Sequence, residues 1–458
     1  MPRTLRLPDG GYMRRHDIQN IIEYLRNMQS VAVTGFSNIG KSSLMRLLSE
    51  NDVWVQEIGE AGQQIVSIYV DCNRMLDMSD QGFYEVVLRS LKEGEIEQTD
   101  LSELNAAYEK LIAPDSEFQI PLSFNQGLTS ILQNIPGQLV LLFDEFDEPF
   151  DQIDPRVFLN LRALKDRYVN KLVYVTATMD SLTQYRTDED HCVEFCELFR
   201  HRTWHLTPLT RPDTNRHIRR YMQAYEVPFA QEDYDFIYQW TGGHPGMLDG
   251  VYRVLEEALE STDQSAMPVE RWELHRNVSR QFRLAKDLMY ECEKIWSTLS
   301  ESHQETILLL FKPGEEALAK SLDELYRKHI LRKVEGKPKV FSRLLAEYIQ
   351  RQINHKQPEE VRLWVDTDSG EVLVGGESVE TLTHLEYKLM LLLFNNADKI
   401  IDKYQIVTNV WGESYIDEVD DARIEKLISR LRQKIEPDPS TPSFLSTVRG
   451  RGYRLSLD

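Results

Sequence analysis

The chain has 458 residues, a length typical of about three domains, and a net charge of −21. Hydrophobic residues make up 41% and charged residues 28%, the balance of a soluble globular protein with several cores. Its apolar runs are too short to cross a bilayer, its first residues contain no apolar signal segment, and four cysteines are too few for a disulfide framework. These observations argue against a membrane protein and predict a cytoplasmic one.

Charge is distributed unevenly along the chain. The total alone argues against a nucleic-acid partner, but residues 423–454 contain eight Lys and Arg against three Asp and Glu, a local charge of +5. A basic island on an acidic chain is more informative about partners than the sum.

The first predicted elements are a strand, a glycine-rich loop and a helix within residues 30–48. The apolar run 31–34 leads into GFSNIGKS, which matches G-x-x-x-x-G-K-[ST], and leucines at helical spacing follow. Backbone N–H groups of such a loop surround phosphates, and the helix N-terminus adds partial positive charge. Lys41 is expected at the β- and γ-phosphates of a nucleoside triphosphate such as ATP, and Ser42 at Mg²⁺. The predicted nucleotide-binding residues of the loop are Gly35, Asn38, Gly40, Lys41, Ser42 and Ser43.

A second apolar strand, residues 138–145 (QLVLLFDE), ends in two carboxylates. It has the composition of a buried central strand in a parallel sheet, whose carboxyl end lies where ligands bind. We predict that Asp144 contacts Mg²⁺, directly or through its coordination shell, and that Glu145 polarises the attacking water. Asp147 and Glu148 follow closely, and at least one of them is expected to be a solvated loop charge. The predicted catalytic residues are therefore Lys41, Asp144 and Glu145, and the predicted metal contacts are Ser42 and Asp144.

A third predicted strand, residues 171–178 (KLVYVTAT), ends in threonines. In a P-loop ATPase sheet the end of this strand often carries a polar residue that senses the γ-phosphate. Thr176 and Thr178 are both candidates, and we place Thr178 among the nucleotide-binding residues. The β-propensity of threonine explains both residues equally well.

Two further segments narrow the class of ATPase. Residues 202–213 read RTWHLTPLTRPD and residues 240–248 read WTGGHPGML, between helical stretches. Together with the phosphate loop and the DE strand, they resemble the STAND branch of the AAA+-related ATPases, including archaeal-type ATPases with a TGGHP segment, over residues 10–355. The resemblance implies that His244, followed by Pro245, contacts the β-phosphate and holds the closed, ADP-bound form.

The TGGHP segment also has a purely structural interpretation, because two glycines allow a tight turn and Pro245 suits the first turn of a helix. The sequence departs from the family at one position: many STAND proteins carry an arginine directly after the third strand, where Met179 stands here. Arg200 and Arg202 are candidates for that charge, in cis or from a neighbouring subunit, and are equally compatible with surface positions. The departure predicts a slow ATPase that acts as a switch.

The next segment, residues 296–352, has helical apolar spacing and ends in short runs that include VFSRLLAEYI. It resembles the winged-helix module that commonly follows a STAND ATPase. The resemblance implies that this module couples nucleotide state to domain packing and does not bind DNA.

The pattern beyond residue 360 changes to short strands followed by three helices. The third helix, at about residues 421–435, has apolar residues at i, i+3, i+4, i+7 and i+11, which predicts one buried face. That face consists of Ile424, Leu427, Ile428, Leu431 and Ile435. Its other positions are largely basic, as a major-groove reader requires, although an ordinary basic surface helix has the same pattern.

Residues 361–458 closely resemble the OmpR/PhoB-type winged-helix DNA-binding domain. The matching stretches are LTHLEYKLMLLL, the VWG after the second helix, ISRLRQKIEPDP and TVRGRGYRL. Leu427 and Ala422 depart from the histidine and arginine of many relatives and leave the target sequence open. The resemblance implies base-edge or phosphate contact by Arg430, minor-groove insertion by Arg449, and a DNA-binding set of Arg423, Lys426, Arg430, Arg432, Thr447, Arg449 and Arg451, in which Arg423, Arg432 and Thr447 contact the backbone.

The predicted fold class is a multidomain α/β and α protein, in which a P-loop NTPase parallel sheet with a helical lid precedes two winged-helix domains. The predicted domains are the ATPase core (1–210), the lid (211–285), the coupling winged helix (286–356) and the DNA-binding winged helix (357–458). We expect an ATP/ADP-switched, Mg²⁺-dependent transcriptional regulator. Its expected partners are double-stranded DNA, further copies of itself on activation, and RNA polymerase. The alternatives are a signalling ATPase whose last winged helix docks a protein, and a mechanochemical AAA+ enzyme.

Overall fold

The computed structural model describes residues 5–7, 9–94, 96, 100–186, 192–263, 270–311, 319–356, 363–366, 371–375, 377–412, 419–448 and 450–456. The chain divides into two compact units, Met1–Ala346 and Glu347–Asp458. The predicted boundary at 357–360 and the predicted DNA contact Arg449 lie outside the described residues. In the described part of the chain, no helix has the length and apolar character needed to cross a membrane.

A five-stranded parallel sheet forms the centre of the first unit, in the order β2-β3-β4-β1-β5. Strands β3 and β4 are buried along their whole length, as their continuous apolar runs predict. The order places β1 between β4 and β5, so a topological switch point lies at the carboxyl ends of these strands. The strands are β1 (Val31–Thr34), β2 (Ile65–Asp71), β3 (Gln138–Asp144), β4 (Leu172–Thr178) and β5 (Thr203–His205).

Nine helices of the described first unit lie before the end of β5. Aromatic side chains of Phe83, Phe143 and Phe158 are fully buried and belong to one apolar core. The helices are α1 (Arg15–Arg26), α2 (Lys41–Leu48), α3 (Asn51–Ile58), α4 (Asp80–Glu93), α5 (Ser102–Ile112), α6 (Gln119–Asn134), α7 (Asp147–Gln152), α8 (Pro155–Arg167) and α9 (Val193–Cys196).

Four helices follow β5: α10 (Arg211–Tyr225), α11 (Gln231–Thr241), α12 (Pro245–Asp263) and α13 (Arg271–Phe282). Gly242 and Gly243 join α11 to α12 in the left-handed region, with φ of 61° and 83°. A Cβ on Gly242 would lie 2.3 Å from the carbonyl oxygen of Phe341, and one on Gly243 would lie 2.2 Å from that of Leu209. The tight turn expected from the two glycines is therefore confirmed, and backbone approaches on both sides require glycine there.

The middle segment of the chain, here defined as residues 286–346, contains helices and a β-hairpin. Ser300 begins α15 by accepting a hydrogen bond from the N–H of His303 at 3.3 Å. This order of elements is compatible with the expected coupling winged helix, which stays a prediction. The elements are α14 (Lys286–Ser297), α15 (Glu301–Leu310), α16 (Ala319–Arg327), β6 (Leu331–Val334), β7 (Lys337–Val340) and the start of α17 (Arg343–Lys356).

The second unit is a winged helix. A three-stranded antiparallel sheet precedes three helices, and a two-stranded antiparallel hairpin ends the unit. The predicted apolar face of the third helix is confirmed, because all five of its residues are buried. The elements are β8 (Leu363–Asp366), β9 (Glu371–Val374), β10 (Glu377–Ser378), α18 (His384–Phe394), α19 (Lys403–Ile406) with a π-helical turn (Val407–Trp411), α20 (Asp421–Ile435), β11 (Leu445–Val448) and β12 (Gly452–Leu455).

A buried carboxylate joins α11 to α13. Asp233 is fully buried, and its Oδ1 accepts hydrogen bonds from Arg271 Nε at 3.1 Å and His275 Nε2 at 2.6 Å. The N–H of Ala230 donates to Oδ2 at 2.6 Å. Burial alone raises the pKa of Asp233, but the hydrogen bonds from His275 and Arg271 outweigh it and hold the pKa below its usual value.

We expect Asp233→Asn to destabilise the first unit by about 3 kcal/mol, because it leaves the Arg271 guanidinium without its buried counter-charge. Thermal unfolding measures the effect, and Asp235→Asn is the matched control because Asp235 is exposed on the same helix. The contribution of Asp233 is present above its unfolded-state pKa of about 4 and is lost as the pH falls through its lower folded-state pKa. Equal unfolding temperatures for the two variants would contradict this assignment.

Candidate nucleotide-binding and DNA-binding sites

The phosphate loop between β1 and α2 has a backbone that its sequence makes possible. Gly40 lies at φ 105° and Asn38 at φ 54°, both in the left-handed region that glycine and asparagine tolerate best. A Cβ on Gly35 would lie 2.9 Å from Ile39 Cγ2, so a side chain there would displace its neighbour. Lys41 crosses the loop, and its Nζ donates to the carbonyl oxygen of Gly35 at 2.6 Å.

Lys41 is buried among carboxylates. Burial lowers its pKa, and the negative charges of Asp147, Glu145 and Asp144 oppose that shift. A phosphate in the loop would give this cation a stronger partner than the Gly35 carbonyl oxygen. Ser42 and Ser43, both predicted to bind nucleotide, are half-buried at the start of α2.

The carboxylates at the end of β3 lie beside the start of α2. Tyr69 donates from its hydroxyl to Asp144 Oδ2 at 2.7 Å, while Asp144 Oδ1 is buried and has no hydrogen-bond partner among the described residues. Ser42 Oγ lies 3.5 Å from Glu145 Oε1. Burial raises the pKa of Asp144, and partial burial followed by the Asp144 charge raises that of Glu145. An unpaired carboxylate oxygen beside a serine hydroxyl fits Mg²⁺, which prefers oxygen ligands.

The end of β4 contains the two candidate threonines in different environments. Thr178 Oγ1 donates to the carbonyl oxygen of Asp180 at 2.6 Å. Thr176 is fully buried, and its Oγ1 has no partner within the described ranges. Asp147 accepts the N–H of Met179 at 2.6 Å and the hydroxyl of Tyr185, so it holds the segment after β4. The γ-phosphate contact of Thr178 stays a prediction.

Three side chains from distant segments hold the loop apex, here defined as residues 37–39. His244 donates from Nε2 to the carbonyl oxygen of Ser37 at 2.9 Å. Arg14 donates from Nη2 to the carbonyl oxygen of Ile39 at 2.5 Å. Asn38 donates from Nδ2 to both carboxylate oxygens of Glu291, at 3.0 and 2.8 Å. The N-terminal segment, the turn before α12 and helix α14 thus meet at one loop.

Sequence reasoning found only one of those three partners. His244 was predicted from the TGGHP segment, and Pro245 begins α12 as expected. Arg14 and Glu291 stand in no motif, and the chain separations of 25 and 253 residues from their loop partners left no signal. Arg14 is buried, and its N–H donates to Asp213 Oδ2 at 3.1 Å, which connects the loop to α10 as well.

The environment of His244 favours a neutral ring. Burial lowers its pKa to about 4, and the ring stacks on Phe36 at 5.4 Å between centroids. Its Nδ1 is buried without a hydrogen-bond partner among the described residues. Contact between His244 and a β-phosphate stays a prediction, as do roles for Arg200, which is exposed, and Arg202, which donates to the carbonyl oxygen of Leu198 at 3.2 Å.

The predicted DNA-binding residues of the second unit fall into two groups. Arg423, Lys426 and Arg430 are exposed along α20. Arg451 is exposed in the turn of the hairpin, directly before β12. Arg432 differs, because its guanidinium forms hydrogen bonds within the unit.

Arg432 connects α20 to the hairpin. Its Nε and Nη2 donate to the carbonyl oxygen of Leu445 at 2.9 and 2.7 Å, and Nη2 donates to Thr447 Oγ1 at 2.8 Å. Glu436, which sequence reasoning missed, accepts the N–H of Ser443 at 2.7 Å and that of Leu445 at 2.6 Å. Arg432 and Glu436 therefore hold the hairpin against α20, and Arg432 contacts Thr447 directly.

A phosphate loop at the switch point of a parallel sheet, with a carboxylate strand beside it, defines a P-loop NTPase. A winged helix with an exposed basic third helix is the fold of a DNA-binding module. The family model for Novel STAND NTPase 1 matches residues 12–351, and the chain belongs to this family. The model for the C-terminal domain of transcriptional regulatory proteins matches residues 376–455, which form an OmpR/PhoB-type DNA-binding domain.

Individual relatives match smaller parts of the chain. The uncharacterized transcriptional regulatory protein YcbL of Bacillus subtilis is 42% identical over 94 residues, 20% of this chain and 40% of that protein. The sensory transduction protein RegX3 of Mycolicibacterium smegmatis is 37% identical over 91 residues, 20% of this chain and 39% of that protein. The chain therefore spans about two-fifths of the length of these curated relatives.

Among solved structures, the Walker-type ATPase PABY2304 of Pyrococcus abyssi is 14% identical. The match covers 76% of this chain and 98% of that one, with a TM-score of 0.47. At this level of similarity, it adds nothing to what the family match shows.

We expect Tyr69→Phe to raise the Mg²⁺ concentration needed for half-maximal nucleotide binding by about tenfold, because it removes the hydrogen bond that orients Asp144. Burial and the Asp144 charge raise the pKa of Tyr69, so its hydroxyl stays protonated and can donate. Titration of Mg²⁺ at fixed nucleotide measures the shift. Tyr225→Phe is the control, because Tyr225 is about half exposed at the end of α10. The same Mg²⁺ midpoint in both variants would rule out the orienting role.

We expect Arg432→Ala and Arg430→Ala to weaken DNA binding for different reasons. Arg432→Ala should lower the thermal stability of the second unit and leave the salt dependence of binding unchanged, because its donors bond the hairpin. Arg430→Ala should leave stability unchanged and reduce the slope of log affinity against log salt by about 1 if it neutralises a phosphate. Titrations of each variant with duplex DNA over a series of salt concentrations measure the two slopes. A reduced slope for Arg432→Ala would show that Arg432 contacts DNA.

Proposed function

We propose that this chain is a STAND-type transcriptional regulator in which ATP and ADP control self-association and DNA binding. The observation that carries the proposal is the threefold hold on the loop apex by His244, Glu291 and Arg14. A ligand that reshapes the apex must disturb contacts to the N-terminal segment, the lid and the middle segment together. Membership of the STAND NTPase family supports nucleotide binding as the input. The OmpR/PhoB-type domain supports DNA binding as the output.

In this proposal the loop binds the nucleotide phosphates through its backbone N–H groups, and Lys41 exchanges the Gly35 carbonyl oxygen for a phosphate oxygen. Ser42 and Asp144 hold Mg²⁺, which neutralises phosphate charge when bound. Glu145 orients a water for slow hydrolysis, and Met179 in place of the family's arginine keeps the rate low. The reaction then serves to reset the switch.

The proposed output uses the four predicted domains: core 1–210, lid 211–285, coupling winged helix 286–356 and DNA-binding domain 357–458. ATP in place of ADP loosens the closed packing of core, lid and coupling domain and allows self-association. Copies of the last domain then bind repeated half-sites together, which raises affinity without new contacts. Helix α20 reads the major groove and the hairpin, with Arg449 and Arg451, reaches the minor groove. Contact with RNA polymerase is a further proposed consequence of promoter binding.

We expect tighter DNA binding with a non-hydrolysable ATP analogue than with ADP, by about 10- to 100-fold, because association makes binding multivalent. Lys41→Ala should remove the difference, because the cation at the phosphates is lost. Binding isotherms on DNA fragments selected with the full-length protein measure the effect. Equal affinities with ATP analogue, with ADP and after Lys41→Ala would refute the switch.

The same DNA distinguishes this function from a winged helix that docks a protein. Arg430→Ala together with Arg449→Ala should abolish specific binding if the domain reads DNA. If the domain docks a protein instead, that docking should largely survive in the double variant, with nucleotide binding intact.

A further inference from the structure

Helix α14 places a carboxylate at the phosphate loop. The carboxylate oxygens of Glu291 accept hydrogen bonds from Asn38 Nδ2, at 3.0 and 2.8 Å. Asn38 and Glu291 are 253 positions apart in the chain. Glu291 Oε2 also lies 2.6 Å from where a Cβ on Gly246 would stand, and that Cβ would be 2.8 Å from Asn38 Cβ. The space between the loop, the start of α12 and Glu291 of α14 is therefore too small for a further side chain.

The position of this carboxylate matters because of what the loop binds. The apex of a phosphate loop lies against the β- and γ-phosphates, which are held by its backbone N–H groups. A fixed negative charge at the apex repels that part of the nucleotide, and more strongly when the γ-phosphate is present. Burial among protein atoms makes such a repulsion larger than it would be in water.

Among the described residues, Lys294 forms an ion pair with Glu291 that moderates its charge without removing it. Lys294, one turn further along α14, places Nζ 3.2 Å from Glu291 Oε1. The Lys294 side chain is 33% exposed and that of Glu291 is 15% exposed, so water screens the lysine more than the carboxylate. Lys294 Nζ contacts Oε1, so Oε2, which accepts Asn38 Nδ2 at 2.8 Å, keeps more of its negative charge toward the loop.

We propose that Glu291 is a specificity-determining residue of the nucleotide site, which selects ADP over ATP while α14 contacts the loop apex. This inference rests on the proposed nucleotide binding at the loop and gives the switch its direction. ATP binding is favoured only when the Asn38–Glu291 contact opens and α14 leaves the apex. By reciprocity, whatever holds α14 on the apex lowers affinity for ATP more than for ADP.

The test compares two nucleotides in the full-length protein. Glu291→Gln keeps an acceptor for Asn38 Nδ2 and removes the charge, so the ratio of Kd for a magnesium ATP analogue to Kd for magnesium ADP should fall about fivefold. Isothermal titration calorimetry measures both constants. Lys294→Gln should shift the ratio the opposite way, because it exposes the Glu291 charge.

Glu293→Gln is the matched control, because Glu293 is exposed on the same helix. An unchanged ratio in Glu291→Gln, or equal shifts for ATP analogue and ADP, overturns the proposal. So does a shift in the same direction for Glu291→Gln and Lys294→Gln. If the unmodified protein binds nucleotide and loses it in Lys41→Ala, any of these outcomes refutes the role of Glu291 alone. If the unmodified protein binds neither nucleotide, the proposed function itself fails.

Discussion

The structure of the first unit depends on one constraint of the phosphate loop. A loop that turns its N–H groups toward phosphates must turn carbonyl oxygens the other way, and buried carbonyls need donors. His244 supplies one to Ser37 and Arg14 supplies one to Ile39. The requirement for donors therefore fixes where the turn before α12 and the N-terminal segment lie. The pairing of these carbonyl oxygens therefore links the phosphate loop to the positions of the surrounding segments.

Charge organises the same site. The negative charges of Asp147, Glu145 and Asp144 act on Lys41, and Glu291 adds a carboxylate that bonds Asn38 at the loop apex. Lys41 Nζ donates to the carbonyl oxygen of Gly35, and the buried Asp144 Oδ1 has no hydrogen-bond partner among the described residues. Buried charged groups are stabilised most by strong partners, and a phosphate with its cation would supply such partners here.

The second unit shows how a basic surface is divided between binding and folding. The pattern of α20 predicts its buried face, because helical periodicity alone decides which positions point inward. Periodicity treats all basic residues on the other face alike. Arg432 bonds Leu445 and Thr447, whereas Arg423 and Arg430 are exposed. The difference comes from the hairpin, whose Leu445 and Thr447 lie within hydrogen-bond distance of Arg432.

The sequence by itself determined the features that depend on neighbouring residues. These are the strand, loop and helix around Gly40, the carboxylates at the end of β3, the glycine turn before α12 and the apolar face of α20. Backbone dihedral preferences and periodicity are local, so a motif records them. Only the tertiary structure brought Arg14 and Glu291 to the phosphate loop and Tyr69 to Asp144. Their contacts join residues far apart in the chain, and the packing that creates those contacts leaves no local pattern.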